Sequence, residues 1–155
     1  KMSQMEILGL FAVLQIAGVI GAYGFGFLQD RLGAKTPLLL ALVLWIVVCV
    51  WAAMCRTVQE FYAIGVLAGM AMGGLQSASR AVVSTLTPTG RAGEFFGYWG
   101  LFAKLAAMIG TFSFGWMVTN FGYRSAISFN AGFFVIGLIV LIPLALKPRD
   151  AVAKS

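Results

Sequence analysis

From Pro37 to Met54 the chain reads PLLLALVLWIVVCVWAAM, a run with no charged or amide side chain. Eighteen residues of helix, at 1.5 Å each, reach about 27 Å, close to the ~30 Å hydrocarbon core of a bilayer. Four more apolar blocks of comparable length accompany it. Together they predict helices at about 6–28, 37–54, 61–83, 95–118 and 125–146, called blocks A to E. Only 10% of the residues are charged and 61% are hydrophobic, against about 25% charged in an average soluble domain. So short a chain cannot hide that much apolar surface in its own core, so lipid must act as its solvent. A β-barrel is excluded, because its strands alternate with a period of two and these blocks do not. The fold class is therefore all-α and integral to the membrane, with residues 1–155 forming a single, partial transmembrane domain and 147–155 a tail.

The connections, 29–36, 55–60, 84–94 and 119–124, are short, which predicts antiparallel neighbours. Pro37 opens B, Pro88 follows C, and Pro143 and Pro148 stand near the end of E. Arg31, Lys35, Arg80, Arg91, Lys147, Arg149 and Lys154 lie toward one side of the membrane, and Lys1, Arg56 and Arg124 toward the other. Seven against three places the first group in the cytoplasm, with the C-terminus there. The net charge of +6 forms no basic run, so nucleic acid is not an expected partner. There is no histidine, no cluster of carboxylates and no metal-ligand spacing, so neither a metal, a cofactor nor an intramembrane enzyme is expected. Cys49 and Cys55 are six apart on one helix and cannot pair with each other. The first residue is lysine, and an odd number of spans predicts at least one helix before it.

The blocks divide by polarity. B carries no charge, and E is polar only near its outer end, at Ser125, Ser128 and Asn130; both are expected to face lipid. A, C and D each carry small and polar residues at helical spacing. In A these are Gln15, Gly18 and Ala22, and in C they are Gly65, Gly69, Gly73, Gln76, Arg80 and Ser84. In D they are Gly97, Gly100, Lys104, Ala107 and Thr111. Spacings of three and four put each set on one face. The glycines suit close helix packing. The polar members need partners, since an unpaired polar group in lipid is costly. Those faces are expected to meet each other, another domain or a water-filled cavity.

The loop between A and B, GFLQDRLGAKT, resembles the signature loop of the major facilitator superfamily at Gly26, Asp30, Arg31, Gly33 and Lys35. The resemblance implies a cytoplasmic gating element that latches neighbouring helices, and a half-bundle of six helices whose third and sixth are peripheral. B and E take those places if A is the second. The signature loop occurs in both halves of such transporters; the tail KPRDAVAKS favours the C-terminal half, the start of a long central loop being the alternative. A narrower resemblance follows in GGLQSASRAVVSTLTPTGRAGEFFGYWGLFAKLAAMIG, carried by Gln76, Ser79, Arg80, Glu94, Phe95, Phe96, Gly97 and Lys104. It is similar to the autophagy-related vacuolar effluxers and their bacterial permease relatives. The fungal members are described as exporting amino acids from the vacuole, while the bacterial ones are mostly of unassigned substrate.

That resemblance implies a secondary transporter of a small solute, an amino acid or another small organic molecule, working by alternating access. Its partners would be the lipid bilayer, the N-terminal half of the same transporter, the solute and a coupling proton or ion. Its place would be a bacterial inner membrane. A membrane sensor or scaffold without transport has the same composition. The substrate or coupling-site candidates are Lys104, Gln76, Arg80 and Gln15. Arg80 suits either a clamp to the C–D region, with Glu94 as its partner, or bidentate binding of an anion. Gln15 and Gln76 suit either a solute hydrogen bond or interhelical glue. Lys104 costs about 2.5 to 3.5 kcal/mol to insert near a bilayer centre. It can snorkel partway toward the cytoplasm, but it shares its face with Gly97 and Gly100. No acid of this chain lies at matching depth in a span, so its expected partner is a carboxylate elsewhere or the solute.

Overall fold

The computed structural model describes residues 4–144. These form four helices: α1 (Gln4–Leu32), α2 (Lys35–Met54), α3 (Val58–Leu86) and α4 (Ala92–Leu141). Each is long and apolar enough to cross a membrane. The tail 147–155 with its three basic residues, Lys1, and the last two residues of block E lie outside the described residues.

The expected five blocks appear as four elements, a correction to the count. The fourth and fifth run into one another without an intervening loop, as two helical arms that meet at a kink. At 1.5 Å per residue, fifty residues of straight helix would reach about 75 Å, more than twice a bilayer core. The break is a single residue, Gly122, with φ 80° and ψ 169°, a region of backbone space open to glycine almost alone. Its two arms double back, since Trp99 of the first lies beside Arg80 while the end of the second meets Lys35. Helix α4 stops at Leu141 rather than at 146, because Pro143 cannot continue it.

The other ends have local causes. Gly33, at φ 78°, donates its N–H to the Gln29 carbonyl at 2.9 Å and closes α1 in a left-handed cap. Thr57 opens α3: its hydroxyl accepts from the Glu60 N–H at 3.2 Å and donates to the Glu60 carboxylate at 2.9 Å. That carboxylate also accepts from the Arg56 N–H, completing a reciprocal cap.

Helices α1 and α3 run parallel in close contact. The Tyr62 hydroxyl donates to the Glu6 carbonyl at 3.0 Å near their beginnings. Further along, glycines bring the backbones together. A Cβ at Gly69 would strike the Leu14 carbonyl, and one at Gly73 would strike the Gly18 carbonyl and the Ala22 nitrogen. A Cβ at Gly21 would strike Met70 main chain, and one at Gly65 would come within 2.6 Å of the Leu10 side chain.

Helix α2 packs on α3 and on the second arm of α4. Trp45 stacks on Phe134 with ring centroids 5.1 Å apart and planes 6° from parallel. Pro37, Ala41, Val48 and Cys49 are buried on that side. Blocks B and E are thus partners, and only their outer faces, with Val43, Val47, Val50, Ile136 and Ile139, stand exposed for lipid. Both cysteines are free thiols.

Candidate functional site

The parallel contact of α1 and α3 leaves a groove of about 660 Å³ beside it. Its floor is Gly18, Ala22 and Gly73, residues too small to fill the space. Its polar lining is Gln15, Gln29, Gln76, Ser77 and Arg80. Three of the four solute candidates, Gln15, Gln76 and Arg80, therefore line one groove. Among the described residues no carboxylate lines it, and its one formal charge is the Arg80 guanidinium.

The polar groups are ordered along the groove, because the helices run in register: Leu10 lies beside Gly65, Gly18 beside Gly73, and Gly26 beside Ser77. Gln15 is deepest from the α1 C-terminal end, Gln76 and Ser77 follow, and Gln29 and Arg80 lie nearest that end. Gln15, Gln76 and Arg80 are exposed. Gln29 differs, since its Oε1 is buried with no hydrogen-bond partner among the described residues. An acceptor left in that state costs about 1–3 kcal/mol.

The Arg80 guanidinium lies over the Trp99 ring of α4, 5.5 Å from its centroid. The carboxylate expected for it, Glu94, is taken by Arg91 instead, through two bonds of 2.9 and 3.1 Å. The nearer sequence neighbour wins: three residues apart at the helix start, Arg91 and Glu94 meet without any tertiary contact. Arg80 is thus fastened to the first arm of α4 by a ring rather than by an acid.

Lys104 stands apart from the groove. It is exposed and makes no hydrogen bond or ion pair among the described residues. A Cβ built on Gly97 or Gly100 would meet nothing within 4 Å. The D stripe therefore does not close against A and C, and its glycines pack no helix of the described chain. The first arm of α4 touches α3 only lightly.

In the signature loop, Gly26 approaches Ser77 across the groove end, where a Cβ on it would be 3.7 Å from the Ser77 hydroxyl. Arg31 covers the Phe27 ring at 4.3 Å, and Asp30 is exposed. Lys35 Nζ donates to the Ile142 and Leu144 carbonyls, each at 2.7 Å. Among the five motif residues, Lys35 is the one whose side chain ties the loop to another helix end.

Three participants, Gln29, Ser77 and Trp99, are not among the residues that the sequence singles out. Gln29 was within reach, since Gln15, Ala22 and Gln29 recur every seven residues and so share a face. Trp99 carried no such signal, because its role depends on where α3 and α4 meet.

Residues 1–151 match the family model described as "Vacuole effluxer Atg22 like". The "Uncharacterized MFS-type transporter YxiO" of Bacillus subtilis is 30% identical over 88% of this chain and 32% of its own length. "Autophagy-related protein 22-1" of Aspergillus niger is 25% identical over 98% of this chain and 28% of its own. The chain thus spans about a third of the length of these curated relatives. The inward-open xylose transporter XylE from E. coli has the same fold over 90% of this chain and 37% of its own, with a TM-score of 0.72 at 20% identity. Four membrane-length helices in a major-facilitator arrangement, matched by that model from end to end of the described region, make this chain a multi-pass membrane protein that belongs to the Atg22-like vacuole effluxer family.

Proposed function

We propose that this chain is the C-terminal portion of a secondary transporter that moves a small organic solute, an amino acid among the candidates, by alternating access. One observation carries the reading. The polar side chains Gln15, Gln29, Gln76, Ser77 and Arg80 of α1 and α3 gather along a single groove floored by glycine and alanine. Helix packing alone needs the small residues but not the polar ones. The family and the shared fold support the same reading, and in such folds the solute site lies near the membrane middle between two repeats.

The parts take the following roles. Gln15 and Gln76 hydrogen-bond the solute, and Arg80 meets it from the cytoplasmic end. Lys104, on the open face of α4, faces an anionic group of the solute or a carboxylate of the N-terminal half. The loop from Gly26 to Lys35 latches the cytoplasmic ends in one state, with Lys35 holding the end of α4. A proton or ion supplies the driving force. The C-terminus is cytoplasmic, and the membrane is a bacterial inner membrane.

The test is flux. The full-length protein in vesicles is supplied with a panel of amino acids and other small organic solutes, in both orientations and with imposed ion gradients. Gradient-dependent movement of one class is the expected result. No movement of any class, with the protein folded and inserted, would assign the fold to a sensor or scaffold instead.

A further inference from the structure

Arg80 is shared by two features of the chain. It lines the α1–α3 groove, and its guanidinium lies over Trp99, with the Cζ 5.5 Å from the ring centroid. The contact with Trp99 holds the first arm of α4 where it otherwise touches α3 only lightly. Among the described residues the groove has no acid to satisfy the guanidinium, and Glu94 is already held by Arg91.

The two possible partners of Arg80 differ in strength. A cation over an aromatic face at an exposed site is worth a factor of about 2 to 5 in an equilibrium. A hydrogen bond from a charged donor is worth a factor of about 10 to 100, and a planar guanidinium can make two to a carboxylate or phosphate. An anionic oxygen in the groove therefore outcompetes the ring. The unsatisfied Gln29 Oε1 beside it favours a ligand that also carries a donor.

We infer that the α1–α3 groove is a site for an anionic oxygen group, and that Arg80 is its ligand-operated clasp. With the groove empty, Arg80 holds Trp99 and with it the first arm of α4. A bound carboxylate or phosphate draws the guanidinium off the ring and frees the arm. The inference rests on reading the groove as part of the solute path, and it gives that path an anion preference and a coupling to α4. The same chemistry can arrive on a dissolved solute or on an anionic lipid headgroup.

Trp99 makes the test discriminating, because removing a competitor strengthens binding whereas removing a structural contact does not. The full-length protein is titrated in phosphatidylcholine vesicles with inorganic phosphate, glycolate and the uncharged glycolamide, and affinity is read from the shift of its thermal unfolding midpoint. The wild type is expected to respond to phosphate or glycolate and not to glycolamide. Arg80→Gln should lose about tenfold or more in affinity, and Arg80→Lys, which keeps the charge but not the fork, should fall between. Trp99→Leu should bind about 2- to 5-fold tighter, and Trp99→Phe by less. Equal binding of glycolate and glycolamide, no response to any of the three probes or to the lipid, or unchanged or weaker binding in folded Trp99→Leu would overturn the clasp. A response confined to vesicles containing phosphatidylglycerol, lost in Arg80→Gln and stronger in Trp99→Leu, keeps the clasp and assigns the ligand to lipid. Flux measured on the same vesicles separates the two readings. Flux without anion discrimination removes the clasp and leaves transport, while discrimination without flux of any solute removes transport and leaves the clasp.

Discussion

The α1–α3 pair and the first arm of α4 carry the same kind of sequence and do different things with it. Both have glycines three and four residues apart, followed by polar side chains on one face. In α3 the glycines are consumed: Gly69 and Gly73 admit the α1 backbone so closely that a methyl group has no room. In α4 a Cβ on Gly97 or Gly100 would meet open space, and residues 101–109 are all exposed, Lys104 among them. A small-and-polar stripe thus specifies a face that needs something beside it, but not what. In α3 the need is met within the chain, and the polar remainder lines a groove. In α4 it is met by nothing among the described residues. The outward apolar faces of α2 and of the second arm of α4 have no polar stripe and no such need, because lipid satisfies them.

That contrast can be broken most directly at Gly73. Gly73→Ala should destabilise the full-length protein by about 1–3 kcal/mol, since the added methyl meets main-chain atoms that cannot rotate away. The loss would be read as a lower unfolding midpoint in detergent. A stable Gly73→Ala protein would mean that the helices separate at little cost and the groove floor is soft.

Lys104→Met sharpens the other side. It should reduce solute flux by about tenfold or more, the worth of a lost charge-assisted hydrogen bond. The unfolding midpoint should stay near wild type, because Lys104 has no partner among the described residues to lose. Normal flux would remove Lys104 from the solute path.

Lys35→Gln is expected to have a smaller effect, about 1 kcal/mol. It gives up a cation at a helix C-terminus and two bonds to the Ile142 and Leu144 carbonyls. Hydrogen exchange at the end of α4 should rise while exchange in α1 and α3 stays unchanged. Uniform loosening would show that the contact supports the whole bundle rather than one helix end.

The smallest effect is expected at Gly100. Gly100→Ala should change stability by no more than about 0.5 kcal/mol, as at an uncrowded surface position. A cost as large as that of Gly73→Ala would reveal a helix from the rest of the protein packed against that face, and would make the two stripes alike after all.

Much of the site was legible in the chain. Gln76 and Arg80 could be placed on one face of their helix from spacing alone, and Gln15 on a polar face of its own, because a helix fixes which side chains share a face. The close approach at Gly65, Gly69 and Gly73 was legible for the same reason, and so was the turn at Gly33 from the loop motif. The partners were harder to read. Glu94 looked available to Arg80, yet an arginine three residues away reaches it first. The loop expected between D and E is a kink at a single glycine, Gly122, the one residue of that stretch with non-helical backbone angles.

That the chain crosses a membrane, and which helix faces are polar, follow from the amino-acid order, because desolvating a charge or a backbone amide in lipid leaves few alternatives. Which polar face meets which is a matter of packing. It closed α1 on α3, set Arg80 over Trp99 and left Lys104 open, because such pairings depend on how closely backbones approach, and that is settled by all the helices together.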